Sequence, residues 1–184
     1  VLVTLYSFTA DMKSDAKYSV RQKVSDYNDM LIISFNAKMD IARSTASSAA
    51  EVAARKLMSG QDMDTVMEDV VAPTVDNALS IGATLVDETG KGVSATGTEA
   101  EVSSKSALEK CLHDNTVVTS EPYDQGGSWY IDIYAPVMDT SGNVDHCLVY
   151  TFIADVFSDI PTTSKFDGKT CYALLSSGGT VLSL

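Results

Sequence analysis

Apolar residues recur in steps of three and four over the first third of the chain, and residues 9–58 contain neither Gly nor Pro. This spacing places the apolar side chains along one side of an α-helix that nothing interrupts. The pattern therefore predicts one long helix from about Thr9 to Met58, ended by Gly60. Its apolar stripe comprises Val20, Val24, Tyr27, Leu31, Phe35, Met39, Ala42, Ala46, Ala49, Ala53 and Leu57.

This predicted helix is longer than a small domain is wide, because an α-helix rises ~1.5 Å per residue. Part of it is expected to leave its own domain and pack on a second domain, on a partner's helix, or on both. The large apolar residues before Met39 suit pairing with a second copy of the chain, which would make a homodimer. The Ala and Ser residues from Ile41 to Ala54 would let a sheet or a second helix approach closely.

The middle of the chain changes from helical to strand periodicity. Asp62 is expected to cap a second helix from about Met63 to Leu79, broken or kinked at Pro73. The following segment, SIGATLVDETGKGVSATG, alternates as strand, turn and strand, with its tip at residues 88–90. A short helix is then predicted over residues 104–113, with a buried side formed by Ala107, Leu108, Cys111 and Leu112.

Residues 116–155 predict three successive antiparallel strands, because β-branched and aromatic runs are separated by the turn sequences DQGG and TSGN. A short helical turn, VFSDI, and a looser segment, PTTSKFDG, follow. The last residues, KTCYALLSSGGTVLSL, predict a further hairpin with its turn at residues 177–179. This hairpin is either an additional edge pair or the first strands of a second module.

Together these elements predict an α+β fold in which a long N-terminal helix packs on a five-stranded antiparallel sheet. We divide the chain into the helix at residues 1–60, a module that contains the sheet at residues 61–160 and the C-terminal hairpin at residues 161–184.

The central predicted strand carries the candidate binding chemistry. Tyr130, Asp132 and Tyr134 alternate along it with Trp129, Ile131 and Ile133, so one face is polar and aromatic and the other is apolar. In simple hairpin register Tyr150 and Phe152 would share the face of Asp132, whereas a bulge would bring Thr151 there instead. The face is expected to form a pocket for a small molecule; the alternative is a solvent-exposed face on which Asp132 is an ordinary surface acid.

Charge and motif content exclude several classes of function. The net charge of −12 disfavours a nucleic-acid partner, since binding a phosphate backbone requires clustered Lys and Arg. The three cysteines show neither zinc-site spacing nor a complete disulfide framework. HExxH, GxSxG and phosphate-loop motifs are absent, and the acidic turns lack calcium-loop spacing. We therefore expect no catalysis, metal or cofactor.

The start of the chain bears on membrane attachment. No run of about 20 apolar residues is present, so nothing in the sequence spans a bilayer. The first residues, VLVTLYSF, are apolar enough to be the outer end of a spanning helix, or equally a buried or frayed helix start.

The segments IGATLVDETGKGVSATG, SEPYDQGG and IDIYAPVMDTSGNVD resemble, in order and spacing, the extracytoplasmic Cache sensors of bacteria. The final hairpin is similar to the one that opens the second module of double-Cache proteins. This resemblance implies a PAS-like sheet behind a long helix, lying outside the membrane as the sensory part of a chemoreceptor, histidine kinase or nucleotide cyclase. It also implies a small-molecule ligand in the concave face of the sheet.

The chain departs from the members of this family that bind amines and amino acids. Their Arg and Trp-Tyr pair beside the third strand is replaced by EVSSKSALEK, where Lys105 is the cation at the start of the predicted helix. Thr151 stands where they place an Asp, and the PYxD pattern keeps Tyr123 but moves the acid to Asp124. An amine or hydroxyl-rich ligand suits Asp132 among phenols, a carboxylate suits Lys105, and a zwitterion suits both.

From these observations we expect the sensing domain of a membrane-anchored receptor, which passes ligand occupancy to an output domain through movement of the long helix. The alternative is a ligand-free structural or protein-interaction ectodomain, and a hydrolase with an unrecognised site is more remote.

Overall fold

The computed structural model describes residues 2–75, 80–154, 174–175 and 181–183. Helix α1 spans Leu2–Met58, as predicted but with an earlier start. Gly60, two residues beyond its last residue, stops the helix. Its φ of +88° is one that only glycine adopts without strain, and its N–H donates to the Leu57 carbonyl at 2.9 Å. The described side chains on the second half of α1 that are buried include Met39, Ala42, Ala46, Ala49, Ala50, Ala53 and Ala54.

The second helix begins at the predicted cap, where the Asp62 carboxylate accepts a 2.8 Å hydrogen bond from the Thr65 N–H. It consists of α2 (Met63–Val66), a π-helical segment (Met67–Val71) and α3 (Ala72–Val75). The helix is therefore irregular, as predicted, but the distortion lies just before Pro73 rather than at it. The predicted end at Leu79 lies outside the described residues.

The main sheet has seven described strands, all paired antiparallel, in the order β3-β2-β1-β7-β6-β4 with β5 also paired to β6. The α+β class is confirmed, while the prediction of five strands was too low. Strand β3 was not predicted, and the run VVTSEPY forms two short strands instead of one. The strands are β1 (Gly82–Asp87), β2 (Lys91–Ser94), β3 (Glu99–Glu101), β4 (Val118–Thr119), β5 (Tyr123–Gln125), β6 (Ser128–Met138) and β7 (Val144–Ile153).

The β6–β7 register decides which side chains share a face. Asp132 lies opposite Thr151, and Ile133 lies opposite Tyr150. A register shift between Val137 and Met138 produces this arrangement. The simple-register prediction for Tyr150 and Phe152 is therefore wrong, and the bulged alternative is the one observed.

Helices cover both faces of the sheet. Helix α4 (Lys105–Asp114) covers the face of Asp132, where Ala107, Leu108 and Cys111 pack on a cluster that includes Tyr134, Cys147 and Val149. On the opposite face the Thr74 and Tyr150 hydroxyls are hydrogen-bonded, and the end of α1 lies beside Val137. The simple register would have placed Cys147 and Val149 on the apolar face, toward the Ala-rich helix, but they lie under α4.

The chain divides into two compact units, Val1–Ala37 and Lys38–Leu184. The predicted C-terminal hairpin is present as β8 (Leu174–Leu175) paired with β9 (Val181–Ser183), in a sheet of its own. Its turn, together with VFSDI and PTTSKFDG, lies outside the described residues. None of the described helices is both long and apolar enough to cross a membrane.

Candidate functional site

A buried carboxylate stands at the centre of the face covered by α4. Asp132 on β6 is only 2% exposed. Its Oδ2 accepts a hydrogen bond from the Ser103 hydroxyl, and its Oδ1 accepts one from the Tyr123 hydroxyl at 3.1 Å. The ion pairs recorded among the described residues, Lys105–Glu101 and His113–Asp114, do not involve it. The carboxylate is thus held by neutral hydroxyl donors.

The start of α4 is tied to the same cluster. Ser104 caps the helix, since its hydroxyl accepts from the Ala107 N–H at 3.3 Å. The Ser104 N–H donates to the Tyr134 hydroxyl at 3.2 Å, and the Ser103 and Tyr134 hydroxyls also lie 3.2 Å apart. Any change at Asp132 that displaces Ser103 therefore acts on the first turn of α4.

The edge of the sheet positions the backbone of Asp132. Strands β4 and β5 pair with β6 on the same side, and the chain between them contains Pro122, which has no N–H to donate to a sheet. Ser120 in this gap donates its N–H to the Asp132 carbonyl at 2.8 Å, and its hydroxyl accepts from the Asp132 N–H at 2.9 Å. The Ser120 hydroxyl thus takes the place of a backbone acceptor for the Asp132 N–H.

Aromatic and hydroxyl side chains flank the carboxylate on the same face. The rings of Tyr123 and Tyr130 stack with their centroids 5.8 Å apart. Thr151 lies directly opposite Asp132 on β7 and is partly exposed. The surface beside Asp132 therefore combines hydrogen-bonding groups with an aromatic wall, which is typical of small-molecule sites.

Burial controls the titration of the phenols. It raises the pKa of Tyr134 to about 12, and the nearby negative charge of Asp132 adds to the effect. Burial also raises the pKa of Tyr123, again with a contribution from Asp132. Both phenols therefore stay protonated at neutral pH and remain available as hydrogen-bond donors.

Five of the nine predicted site residues lie together on this face, namely Tyr123, Tyr130, Asp132, Tyr134 and Thr151. Tyr150 and Phe152 lie on the opposite face. Lys105 is 68% exposed and pairs with Glu101 at 3.4 Å, so its ammonium group faces solvent. Asp124 is exposed and is paired with Trp129, which places it on the face opposite to Tyr123.

Two hydroxyl residues of the cluster, Ser103 and Ser120, were not predicted. Ser103 directly precedes the helix cap, and the SS pair before a helical pattern was the one signal in the sequence for it. Ser120 precedes Glu-Pro, and that Pro was the signal for an interrupted edge strand. Within the described residues no group of three or more His, Cys, Asp or Glu is arranged to hold a metal ion.

Comparisons with known proteins find a similarity in fold alone. No protein-family profile matches the sequence, and no curated protein sequence matches it. Among solved structures, the chain is similar to the ligand-binding domain of the Pseudomonas aeruginosa amino acid chemoreceptor PctC in complex with GABA. That match has a TM-score of 0.65 and 12% identity, and covers 88% of this chain and 74% of that one.

Two further structures share the fold. The sensory domain of the Campylobacter jejuni chemoreceptor Tlp3 with isoleucine bound matches with a TM-score of 0.55 and 10% identity, over 89% of this chain and 71% of that one. An extracellular ligand-binding receptor from Desulfohalobium retbaense matches with a TM-score of 0.55 and 19% identity, over 73% of this chain. The chain spans about a quarter of that receptor, 26% of its length. The expected fold of extracytoplasmic sensor domains is therefore confirmed.

Proposed function

We propose that this chain is the extracytoplasmic small-molecule-sensing domain of a bacterial transmembrane signalling receptor. Its fold is shared with sensory domains of chemoreceptors, which supports this role. The observation that carries the proposal is the buried Asp132 carboxylate, whose recorded side-chain partners are neutral hydroxyls. In this role the domain binds a ligand and performs no chemistry on it, and the whole receptor is anchored in the cell membrane.

The ligand is proposed to carry an amine. A carboxylate offers about four acceptor positions, and the recorded side-chain hydrogen bonds to Asp132 occupy two of them. A buried negative charge is costly without a countercharge, which an ammonium group would supply. Two sensory domains of similar fold are complexes with GABA and with isoleucine, and both of these molecules carry an amine. Tyr130, Tyr134 and Thr151 would contact the rest of the ligand.

Occupancy is proposed to reach the long helix along the sheet edge. Ser120 holds the backbone of Asp132, and its neighbour Thr119 accepts hydrogen bonds from Arg43 of α1, at 3.2 Å from Nε and 3.1 Å from Nη2. A ligand that shifts Asp132 would therefore shift the contact made by Arg43. Movement of α1 would then pass the signal to an output domain.

The first test is a thermal-shift screen of amines, amino acids, carboxylates and sugars, followed by calorimetry on any binder. We expect an amine to bind and Asp132→Asn to weaken it by about 10- to 150-fold, since hydrogen bonds to charged groups contribute roughly 1.5–3 kcal/mol. Asp124→Asn is the matched control, because its carboxylate is exposed and lies on the other face. Full affinity in a folded Asp132→Asn variant would overturn the assignment of the site.

A further inference from the structure

Two cysteine thiols meet in the core beneath α4. Cys111 lies on α4 and Cys147 on β7, both are 0% exposed, and their Sγ atoms are 3.6 Å apart. Both are free thiols in the structure. The residues are 36 positions apart in sequence, so a bond between them would close a long loop. They belong to the packed cluster that also contains Leu108, Tyr134 and Val149.

We propose that Cys111 and Cys147 form a disulfide bond in the mature protein, which fastens α4 to the central part of the sheet. A disulfide has an S–S distance of ~2.05 Å, so each sulfur would move by roughly 0.8 Å from its present position. The third cysteine, Cys171, stays outside this pair. The proposal rests on the proposed extracytoplasmic location only for the supply of an oxidant, because disulfides persist in oxidising compartments.

The bond would form by exchange with a disulfide oxidant, RSSR, either a small molecule or an oxidoreductase. One cysteine loses its proton and its thiolate attacks a sulfur of RSSR, which gives a mixed disulfide and releases RS⁻. The thiolate of the other cysteine then attacks the mixed disulfide at the cysteine sulfur and releases the second RS⁻. Two cysteine thiols are oxidised and RSSR is reduced to two RSH once the released thiolates take up the two protons.

Burial determines when this exchange takes place. The hydrogen bond from Cys111 and then burial raise the pKa of Cys147, so its thiolate is scarce in the folded state. Exchange is therefore expected while the core is still open during folding. Once formed, the buried bond would resist small-molecule reductants. It would hold the middle of α4 against β7, while the first turn of α4, near Ser103, stays free to respond at Asp132.

Mass spectrometry tests the bond without any substitution. The protein is refolded from denaturant in a mixture of reduced and oxidised glutathione, and free thiols are then trapped by alkylation. Trypsin leaves both cysteines in one peptide, residues 111–165, which the disulfide makes lighter by two hydrogen atoms. Cleavage on the N-terminal side of Asp residues, several of which lie between the two cysteines, divides this peptide further, and the fragments that carry Cys111 and Cys147 stay joined only when the bond is present. We expect these two fragments to be joined and Cys171 to be alkylated.

Two further measurements test the effect of the disulfide on stability and its presence in the native protein. Reduction should lower the midpoint of thermal unfolding by about 5–15 °C. Cys171→Ser should keep this shift, and Cys147→Ala should lose it. Alkylation of both Cys111 and Cys147 after refolding, or linkage of either to Cys171, would overturn the pairing. A bond that forms on refolding but is missing from the protein as isolated from its own cells would leave the pairing geometry intact, and would overturn both the disulfide of the mature protein and the oxidising location on which it rests.

Discussion

Asp132 shows how single residues make a buried charge tolerable. Removing a carboxylate from water costs several kcal/mol unless hydrogen bonds replace those lost. Ser103 and Tyr123 supply such bonds to the side chain, and Ser120 supplies them to the backbone. Because the phenols titrate far above neutral pH, these donors do not change with pH in the physiological range. The phenol donors are thus in place before any ligand arrives.

Asp87 gives a residue-scale prediction about pH. Its carboxylate accepts hydrogen bonds from the Thr89 hydroxyl at 2.6 Å and the Thr89 N–H at 2.8 Å, which closes the β1–β2 turn. The Thr89 hydroxyl in particular lowers the pKa of Asp87 below its usual value. A lowered folded-state pKa stabilises the fold above the unfolded pKa of about 4, and this contribution disappears as pH falls through the folded pKa.

We therefore expect Asp87→Asn to lower the free energy of unfolding by roughly 0.5–1 kcal/mol at pH 7. The two proteins should converge in stability as pH falls through the folded-state pKa of Asp87, below which the carboxyl is protonated in both states. Urea unfolding at a series of pH values measures the difference. In a Thr89→Ala background, Asp87→Asn should lower the free energy of unfolding by less. If Asp87→Asn destabilises the protein as much at low pH as at pH 7, the explanation is contradicted.

At the scale of elements, the two long strands β6 and β7 were predictable but the faces of β7 were not. The alternation along β6 and the turns DQGG and TSGN located both long strands. The register shift at Val137/Met138 then reversed the faces of β7. In the adjoining turn Asp139 accepts from the N–H groups of Ser141 and Asn143 at 2.7 and 2.8 Å. Such local hydrogen bonds compete with the backbone hydrogen bonds between the strands. The alternation of apolar and polar residues does not report them, so it could not decide between the simple and the bulged register.

Packing of the Ala-rich half of α1 provides a prediction at the same scale. Ala46 is fully buried, and small residues here allow close approach to the neighbouring elements. Ala46→Leu should destabilise the fold by about 1–3 kcal/mol, because the added atoms have no space. Glu51→Leu places the same side chain at an exposed position of the same helix and should change stability by less than about 0.5 kcal/mol. Chemical denaturation of both variants gives the comparison, and equal effects would contradict this view of the packing.

At the scale of the whole molecule, the first part of α1 is proposed to pair with a second copy of the chain. Several described apolar side chains there are exposed, including Tyr18, Val20, Met30, Ile32 and Ile33. Exposed apolar surface of this extent is typical of an interaction surface. The helix could be predicted from the regular spacing of its apolar residues. Pairing depends on two chains, and the sequence of one chain indicates it only through apolar residues that its own fold leaves exposed.

Cysteine crosslinking in the full receptor tests both the pairing and the signal. Single cysteines at Val20, Lys23 and Met30 should crosslink between copies, and saturating ligand should change their relative yields at least about twofold if α1 shifts or rotates. A cysteine at buried Ala50 is the control and should give no crosslink. Identical yields with and without ligand would argue strongly against signalling through this helix.

The double hydrogen bond between Ser120 and Asp132 has a consequence for the thermodynamics of recognition. Because it fixes the main chain of β6 beside the gap, the carboxylate is oriented before binding and little conformational entropy is lost there. Ser103 and Tyr123 keep their bonds to the carboxylate, and the donors of the ligand take the acceptor positions that remain. Affinity for successive ligands should therefore follow how well their donors fill these positions, more than how much apolar surface they bury.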